Sequence, residues 1–157
     1  MSDRCFAEIR IETRTGPVAV RATADAVVGI GWVGSADGAR DETPLLAEAR
    51  RQILDYFAGR LRRFDLPLAP AGTDFQQAVW AAMCAIPYGA VRTYGDIACE
   101  LDGTARAVGT ACGRNPIPIV IPCHRVVGGN GRLTGFSGGD GVETKRALLQ
   151  LEGAMLI

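Results

Sequence analysis

Three short runs near the start of the chain alternate apolar and polar residues: CFAEIRIET, PVAVRAT and AVVGIGWVG. Alternation with period two puts successive side chains on opposite faces of a strand, so each run predicts a half-buried β-strand, with turns at RTG and TAD. The period then changes. Thr43 and Pro44 supply an N-cap and a proline at the first helical position, and Leu45, Leu46, Ala49, Ile53 and Phe57 recur at helical spacing. A small antiparallel sheet with one covering helix is expected from this part.

The pattern breaks at RRFDLPLAPAGTDF, Arg62 to Phe75, where Pro67, Pro70 and Gly72 separate one helical pattern from the next, as a linker would. Beyond it, TDFQQAVWAAMCAI opens on Thr73 or Asp74 as a cap and places Phe75, Val79, Met83 and Ile86 on one face. PYGAVRT reads as a turn. TYGDIACEL is a short helix capped by Thr93, with Asp96 at the capping-box position. DGT ends it, ARAVGTACG makes another helix that stops at GRNP, and GGNGRLTGF is a candidate hairpin. Two short helices joined by a tight turn, followed by a hairpin, outline a winged helix-turn-helix, although plain helix packing produces the same pattern. VETKRALLQLEG closes the chain as a helix with a glycine C-cap.

Composition sharpens this outline in three places. With 157 residues, 48% of them hydrophobic, the chain suits one domain or two small ones, and no run approaches the ~20 apolar residues of a membrane span. The N-terminus lacks the apolar core of a signal peptide, and five cysteines without paired spacing make a poor disulfide framework, so a reducing cytoplasmic setting is expected. One histidine and no CxxC pair argue against a structural zinc site. Net charge is zero, but between Gly103 and Gly139 lie Arg106, Arg114, Arg125 and Arg132 with no acidic residue, which is either a solvated face or an anion-binding stripe.

The chemistry concentrates in NPIPIVIPCHRVVGGNG, where Cys123 stands beside the only histidine, His124. Pro116, Pro118 and Pro122 fix φ and remove amide donors, which predicts a stiff extended segment that would hold a nucleophile in place. A free thiol has a pKa of about 8.5 and needs help to ionise at neutral pH. His124 can take the proton, through a bridging water if the chain stays extended there, and Glu152 near the end of the last helix is the candidate carboxylate to orient the imidazole. The alternative is a buried core cysteine with polar neighbours. Arg125 is expected to support this loop.

IPCHRVVGGNGRLTGFSGG, with the upstream TYGDIA, ARAVG and RNPIPIVIPCHRV, resembles the O6-alkylguanine-DNA alkyltransferases, the methylated-DNA–protein-cysteine methyltransferases. The resemblance is dense from Phe75 to Gly153; the PCHRV box with the upstream NP is its most specific element. It implies direct repair: an alkylated guanine is flipped out of double-stranded DNA, and Cys123 takes the alkyl group irreversibly, once per molecule. On that likeness His124 is the water-linked base, Glu152 orients it, and Tyr94 donates a hydrogen bond to the leaving guanine. Arg106 would fill the vacated place in the duplex, with Ala105, Ala107, Gly109, Thr93 and Gly129 as further DNA contacts. Asn115, Val126, Phe136 and Ser137 would form the base pocket. Extrusion costs a few kcal/mol, which an inserted side chain and phosphate contacts can offset, and the small residues of ARAVGTACG suit close approach to the minor groove.

The fold expected is therefore an α/β N-terminal domain, a small antiparallel sheet plus helix of ribonuclease H-like type, over residues 1–68. A mainly α, winged-helix-type catalytic and DNA-binding domain would follow over 69–157. No cofactor, no metal and a monomer are expected. Phe136 stands where many relatives have tyrosine, which removes a hydroxyl from the pocket wall, and with Gly135 it leaves modest steric room. The loop between Tyr94 and Arg106 is shorter than in some relatives, and the zinc ligands of some members are unmatched. Non-catalytic relatives that bind lesions carry tryptophan in place of the cysteine; here cysteine is present. Two other classes remain open on the sequence: a DNA-binding module without chemistry, and a cysteine hydrolase, which would need a separate base.

Overall fold

The computed structural model describes residues 6–38, 40–134, 136 and 138–154, and the chain divides into two compact units, Met1–Ala71 and Gly72–Ile157. In the first unit, strands β1 (Ala7–Ile11), β2 (Val18–Ala22) and β3 (Val27–Trp32) form an antiparallel meander in that order. Ile9 faces Val20 across β1 and β2, and Val20 faces Ile30 across β2 and β3, so one row of apolar side chains crosses the sheet. Helix α1 (Pro44–Phe57) covers this face with Leu46, Ala49, Ile53 and Tyr56, all fully buried. Thr43 caps it as expected, its hydroxyl accepting from the Leu46 N–H at 3.1 Å.

The proline-rich stretch after α1 is tied to the sheet rather than loose. Val27 N–H donates to the Pro67 carbonyl and Ala69 N–H donates to the Val27 carbonyl, each at 2.9 Å, which extends the β3 edge by a parallel bridge at Leu68. Buried Gln52 of α1 holds the preceding turn, exchanging two hydrogen bonds with the Asp65 backbone. Proline tolerates this edge position because its missing N–H faces away from the ladder.

The second unit is helical. It comprises α2 (Asp74–Cys84), α3 (Tyr94–Leu101), α4 (Ala105–Gly113) and α5 (Val142–Leu151). Thr73 and Thr93 both form capping boxes, with Gln76 and Asp96 respectively. Asp102 adopts a left-handed conformation (φ 55°) and ends α3, so the chain reverses within three residues into α4, capped by Thr104. Helices α2, α3 and α4 pack on one another through Val79, Met83, Ile97, Val108 and Ala111. Trp80, 2% exposed, crosses between α2 and α4 and donates its indole N–H to the Ala111 carbonyl at 2.9 Å.

Two local expectations fail. The hairpin expected in GGNGRLTGF is absent among the described residues. Instead β4 (Arg92–Thr93) pairs in parallel with β5 (Val126–Val127), and residues Gly129–Gly131 form a single tight turn. Positive φ at Asn130 (63°) and Gly131 (76°) closes the turn, and the Thr134 carbonyl is occupied by side chains rather than by a strand partner. The NPIPIVIP segment is not extended either; it folds back on itself. The Asn115 side chain accepts from Ile117 N–H at 3.0 Å and donates to the Ile121 carbonyl at 2.8 Å, while Ile121 N–H reaches the Ile117 carbonyl at 2.8 Å. Proline excluded a helix or a ladder here, and an Asx-type turn with four buried aliphatic residues, Ile117, Ile119, Val120 and Ile121, took their place.

Replacing Thr73 with alanine removes the side-chain half of the α2 capping box and is expected to cost about 1 kcal/mol. A urea unfolding curve with unchanged slope and a lowered midpoint would show it; an unmoved midpoint would mean that water replaces the cap without loss.

Candidate active site

Cys123, His124 and Arg125 form one turn of 3₁₀ helix after Pro122 (φ −82°, ψ 68°), so the chain turns where the sequence reading allowed an extended alternative. All three are buried: Cys123 is 7%, His124 0% and Arg125 7% exposed. The turn brings two of these side chains to one carboxylate. His124 Nε2 lies 2.7 Å from Glu152 Oε2, and Arg125 grips the same carboxylate in a fork, Nε to Oε1 at 2.8 Å and Nη2 to Oε2 at 3.0 Å. Arg125 Nη1 donates to the Ile86 carbonyl at 2.7 Å, which fastens the turn to the end of α2. Glu152 reaches this point because α5 ends on it. Gly153 takes φ 74°, its N–H bonds to the Gln150 carbonyl and Ala154 N–H bonds to the Leu149 carbonyl, a Schellman turn.

This wiring fixes proton positions. Glu152 accepts from Arg125 on both oxygens, so Nε2 of His124 is the donor of their shared hydrogen bond and carries the ring proton. Burial holds the His124 pKa below its ordinary value, against the upward pull of Glu152, so the ring is neutral near pH 7. Nδ1 is then a bare acceptor, buried and without a hydrogen-bond partner among the described residues. An imidazole with one nitrogen anchored on a carboxylate and the other open is a base waiting for a proton.

The thiol beside it resists ionisation. Burial pushes the Cys123 pKa up, while the Asn115 amide, the Lys145 charge and the backbone N–H groups of Cys123 and His124 favour the thiolate. Asn115 thus shapes the loop and reaches the sulfur. Tyr94, first residue of α3, donates its hydroxyl to the Thr134 carbonyl at 3.0 Å, and burial raises its pKa so that it keeps its proton. The Val126 carbonyl accepts from Lys145, a residue that the reading of the sequence did not single out. A signal for it was present: Lys145 is the one lysine among 17 basic residues.

The remaining site residues fall into two groups. Ala105 and Arg106 are exposed, and Ala107 and Gly109 half-exposed, on α4. A Cβ on Gly109 would stand 4.0 Å from the Tyr94 ring, so this face of α4 lies against Tyr94. Thr93 is half-buried and uses its hydroxyl as the α3 cap; Gly129 is exposed on the tight turn. Phe136 is half-buried, and Ser137, Gly135 and Cys5 lie outside the described residues. Among the described residues no cluster of three or more His, Cys, Asp or Glu side chains could hold a metal ion, and no helix is long and apolar enough to cross a membrane.

Comparison with known proteins is consistent over both units. A family model described as "6-O-methylguanine DNA methyltransferase, DNA binding domain" matches residues 74–154. A methylated-DNA–protein-cysteine methyltransferase of Methanosarcina acetivorans is 54% identical over 109 residues, 68% of this chain and 69% of its own length. The crystal structure of Mycobacterium tuberculosis O6-methylguanine methyltransferase is similar with a TM-score of 0.84 at 38% identity, covering 98% of this chain and 96% of that one. Mycobacterium tuberculosis OGT in complex with DNA also gives 0.84, at 42% identity over 94% of this chain and 93% of that one.

Two outcomes follow from the buried trio. Glu152→Gln leaves Arg125 without a counter-charge and is expected to destabilise the fold by roughly 3–5 kcal/mol in chemical denaturation; a loss under 1 kcal/mol would mean the pair is replaced by solvent. A histidine buried neutral stabilises the fold fully above its unfolded pKa of about 6.5, and that contribution is lost as the pH falls further. Between pH 7.5 and 5.5 the parent chain should lose stability at up to ~1.4 kcal/mol per pH unit more than His124→Asn. Parallel curves would contradict burial of the neutral ring.

Proposed function

The chain belongs to the methylated-DNA–protein-cysteine methyltransferases, DNA-binding repair enzymes, and from that premise we propose that it removes alkyl groups from O6 of guanine in duplex DNA by transferring them to its own Cys123. The observation that carries this reading is the buried His124 ring, anchored on Glu152 at 2.7 Å through Nε2 and open at Nδ1, next in the chain to a buried thiol.

The chemistry balances as a displacement at carbon. The Cys123 proton passes to His124 Nδ1, by way of a water, and the resulting imidazolium is stabilised by Glu152. The thiolate attacks the alkyl carbon in line, the S–C bond forms as the C–O6 bond breaks, and the electron pair leaves on the guanine. Tyr94, held protonated by burial, gives up its bond to the Thr134 carbonyl and donates to the guanine ring as negative charge gathers there. The thioether product does not return to the thiol, because a dialkyl sulfide offers water no activated carbonyl and no good leaving group at neutral pH. Each molecule therefore reacts once, and a hydrolase, which must regenerate its thiol, is disfavoured.

A stacked base cannot present O6 to a buried sulfur, so the base must leave the duplex. Exposed Arg106, in the first turn of α4, is suited to occupy the gap, and the small residues around it allow the helix backbone to approach the minor groove. Arg114 and Arg132, both exposed, supply phosphate contacts without base reading. On this reading the helical unit is a winged-helix-type DNA-binding domain whose wing is a loop, and the sheet-plus-helix unit is the ribonuclease H-like N-terminal domain. Acceptor, base and carboxylate all come from one polypeptide, so a monomer suffices.

Incubation with a duplex carrying one O6-methylguanine should add one methyl group to the peptide containing Cys123, saturating at one per chain by mass spectrometry. Cys123→Ala should bind the duplex and gain nothing; stoichiometric transfer to that variant would place the acceptor elsewhere. Arg106→Ala should slow reaction with the duplex at least ~10-fold more than reaction with a free O6-alkylated base, given the few kcal/mol cost of extrusion. Equal losses on both substrates would remove Arg106 from the flipping step.

A further inference from the structure

Sixteen of the 17 basic residues are arginine; the single lysine, Lys145 in the second turn of α5, is 1% exposed. A buried ammonium without a carboxylate is costly, and among the described residues no carboxylate lies within salt-bridge distance of it. Its partners are neutral oxygens. Nζ donates to the Val126 carbonyl, to the Thr134 carbonyl at 2.9 Å and to the Tyr94 hydroxyl at 3.4 Å. The Tyr94 proton is itself given to Thr134, so the oxygen presents a lone pair to Nζ. Three acceptors converge on one nitrogen, and only the ammonium form has three hydrogens to meet them. Burial lowers the Lys145 pKa, and an anion formed at Cys123 acts in the opposite direction. The geometry favours the charged form.

We propose that Lys145 is a positioning residue for the transfer reaction: its ammonium ties the Val126 and Thr134 carbonyls to the Tyr94 hydroxyl and holds an unneutralised positive charge toward Cys123, where the thiolate forms. This rests on the reading of Cys123 as acceptor. The other ionisable groups around the sulfur cannot take the same part. Glu152 is committed to Arg125 and His124, and Arg125 is committed to Glu152. His124 is neutral, Tyr94 is protonated, and Cys112 is a thiol whose pKa is pushed up to about 12 by burial. The charge that favours an anion at Cys123 and is not already paired is that of Lys145. Arginine, used at every other basic position, would bring a planar fork of five donors to a site built for three convergent bonds.

The test compares the full chain with Lys145→Met, similar in length but uncharged, and with Lys145→Arg. Two rates are followed from pH 6 to 10: carboxamidomethylation of the Cys123 peptide by iodoacetamide, quantified by mass spectrometry, and methyl transfer from the O6-methylguanine duplex. In Lys145→Met both profiles should move to higher pH, with a loss of about tenfold at pH 7 for each unit of displacement and recovery of the iodoacetamide rate at the alkaline end. Lys145→Arg should keep the thiol profile near the parent while slowing methyl transfer, since the charge stays and the carbonyl geometry changes. A Lys145→Met profile of unchanged midpoint and lower plateau would overturn the electrostatic role. If Lys145→Met does not fold by circular dichroism, Lys145→Gln, which keeps two N–H donors without the charge, carries the same comparison. The iodoacetamide arm needs no DNA, so it reports on Lys145 even if methyl transfer itself is not found.

Discussion

A carboxylate with no exposed surface governs this site. Glu152 must be fully paired to be tolerated in the interior, and its pairing dictates much of what surrounds it. The fork from Arg125 fixes the plane of the carboxyl group, and that plane selects which His124 nitrogen meets it. The same arginine reaches the Ile86 carbonyl, so the 3₁₀ turn, the end of α2 and the end of α5 are held by one guanidinium. Remove the carboxylate and the imidazole loses its tautomer, the arginine its counter-charge and the turn its anchor together.

Around this anchor the unit divides its labour by secondary structure. Capped helices carry three of the candidate site groups: Tyr94 follows the Thr93 cap, Arg106 follows the Thr104 cap, and Glu152 closes α5. The thiol is carried by a loop, but one made stiff by prolines and by the two hydrogen bonds of Asn115. Ile119 sits inside that loop at φ 75°, an unfavourable conformation for a β-branched residue, and it is held there by complete burial of its side chain. Local strain is thus tolerated inside the loop that leads to the thiol.

Much of this was legible in the sequence because it is local. Alternation gave the three strands, Thr43, Thr73 and Thr93 marked helix starts, and the glycine after Glu152 marked the end of α5. Cys123 and His124 stood out as candidates because the one histidine adjoins a thiol, and Glu152, a candidate from its place near the end of the last helix, lies 2.7 Å from His124 Nε2. What the sequence withheld is tertiary. The Arg125 fork spans 27 residues and the bond from Lys145 to Tyr94 spans 51, and no periodicity reports on such pairs. Proline spacing argued for an extended loop because the preference of each residue is local, whereas burial of four aliphatic side chains and an asparagine amide decided its path. Likewise, the glycine-rich stretch looked like a hairpin because turn residues do not reveal whether the flanking carbonyls will find a strand or a lysine.

The described thiols are sorted by exposure: Cys84 and Cys99 lie open to water, Cys112 and Cys123 are enclosed. On the proposed single-turnover transfer to Cys123, this sorting acts as a filter on reagents. A dissolved electrophile or oxidant meets the two outer sulfurs first, and neither has a part in the proposed reaction. The inner sulfur is then left for a carbon that arrives in a fixed pose, stripped of solvent, beside the proposed base. Selectivity of this kind comes from access rather than from intrinsic nucleophilicity, and it keeps the single acceptor from being spent on the wrong target.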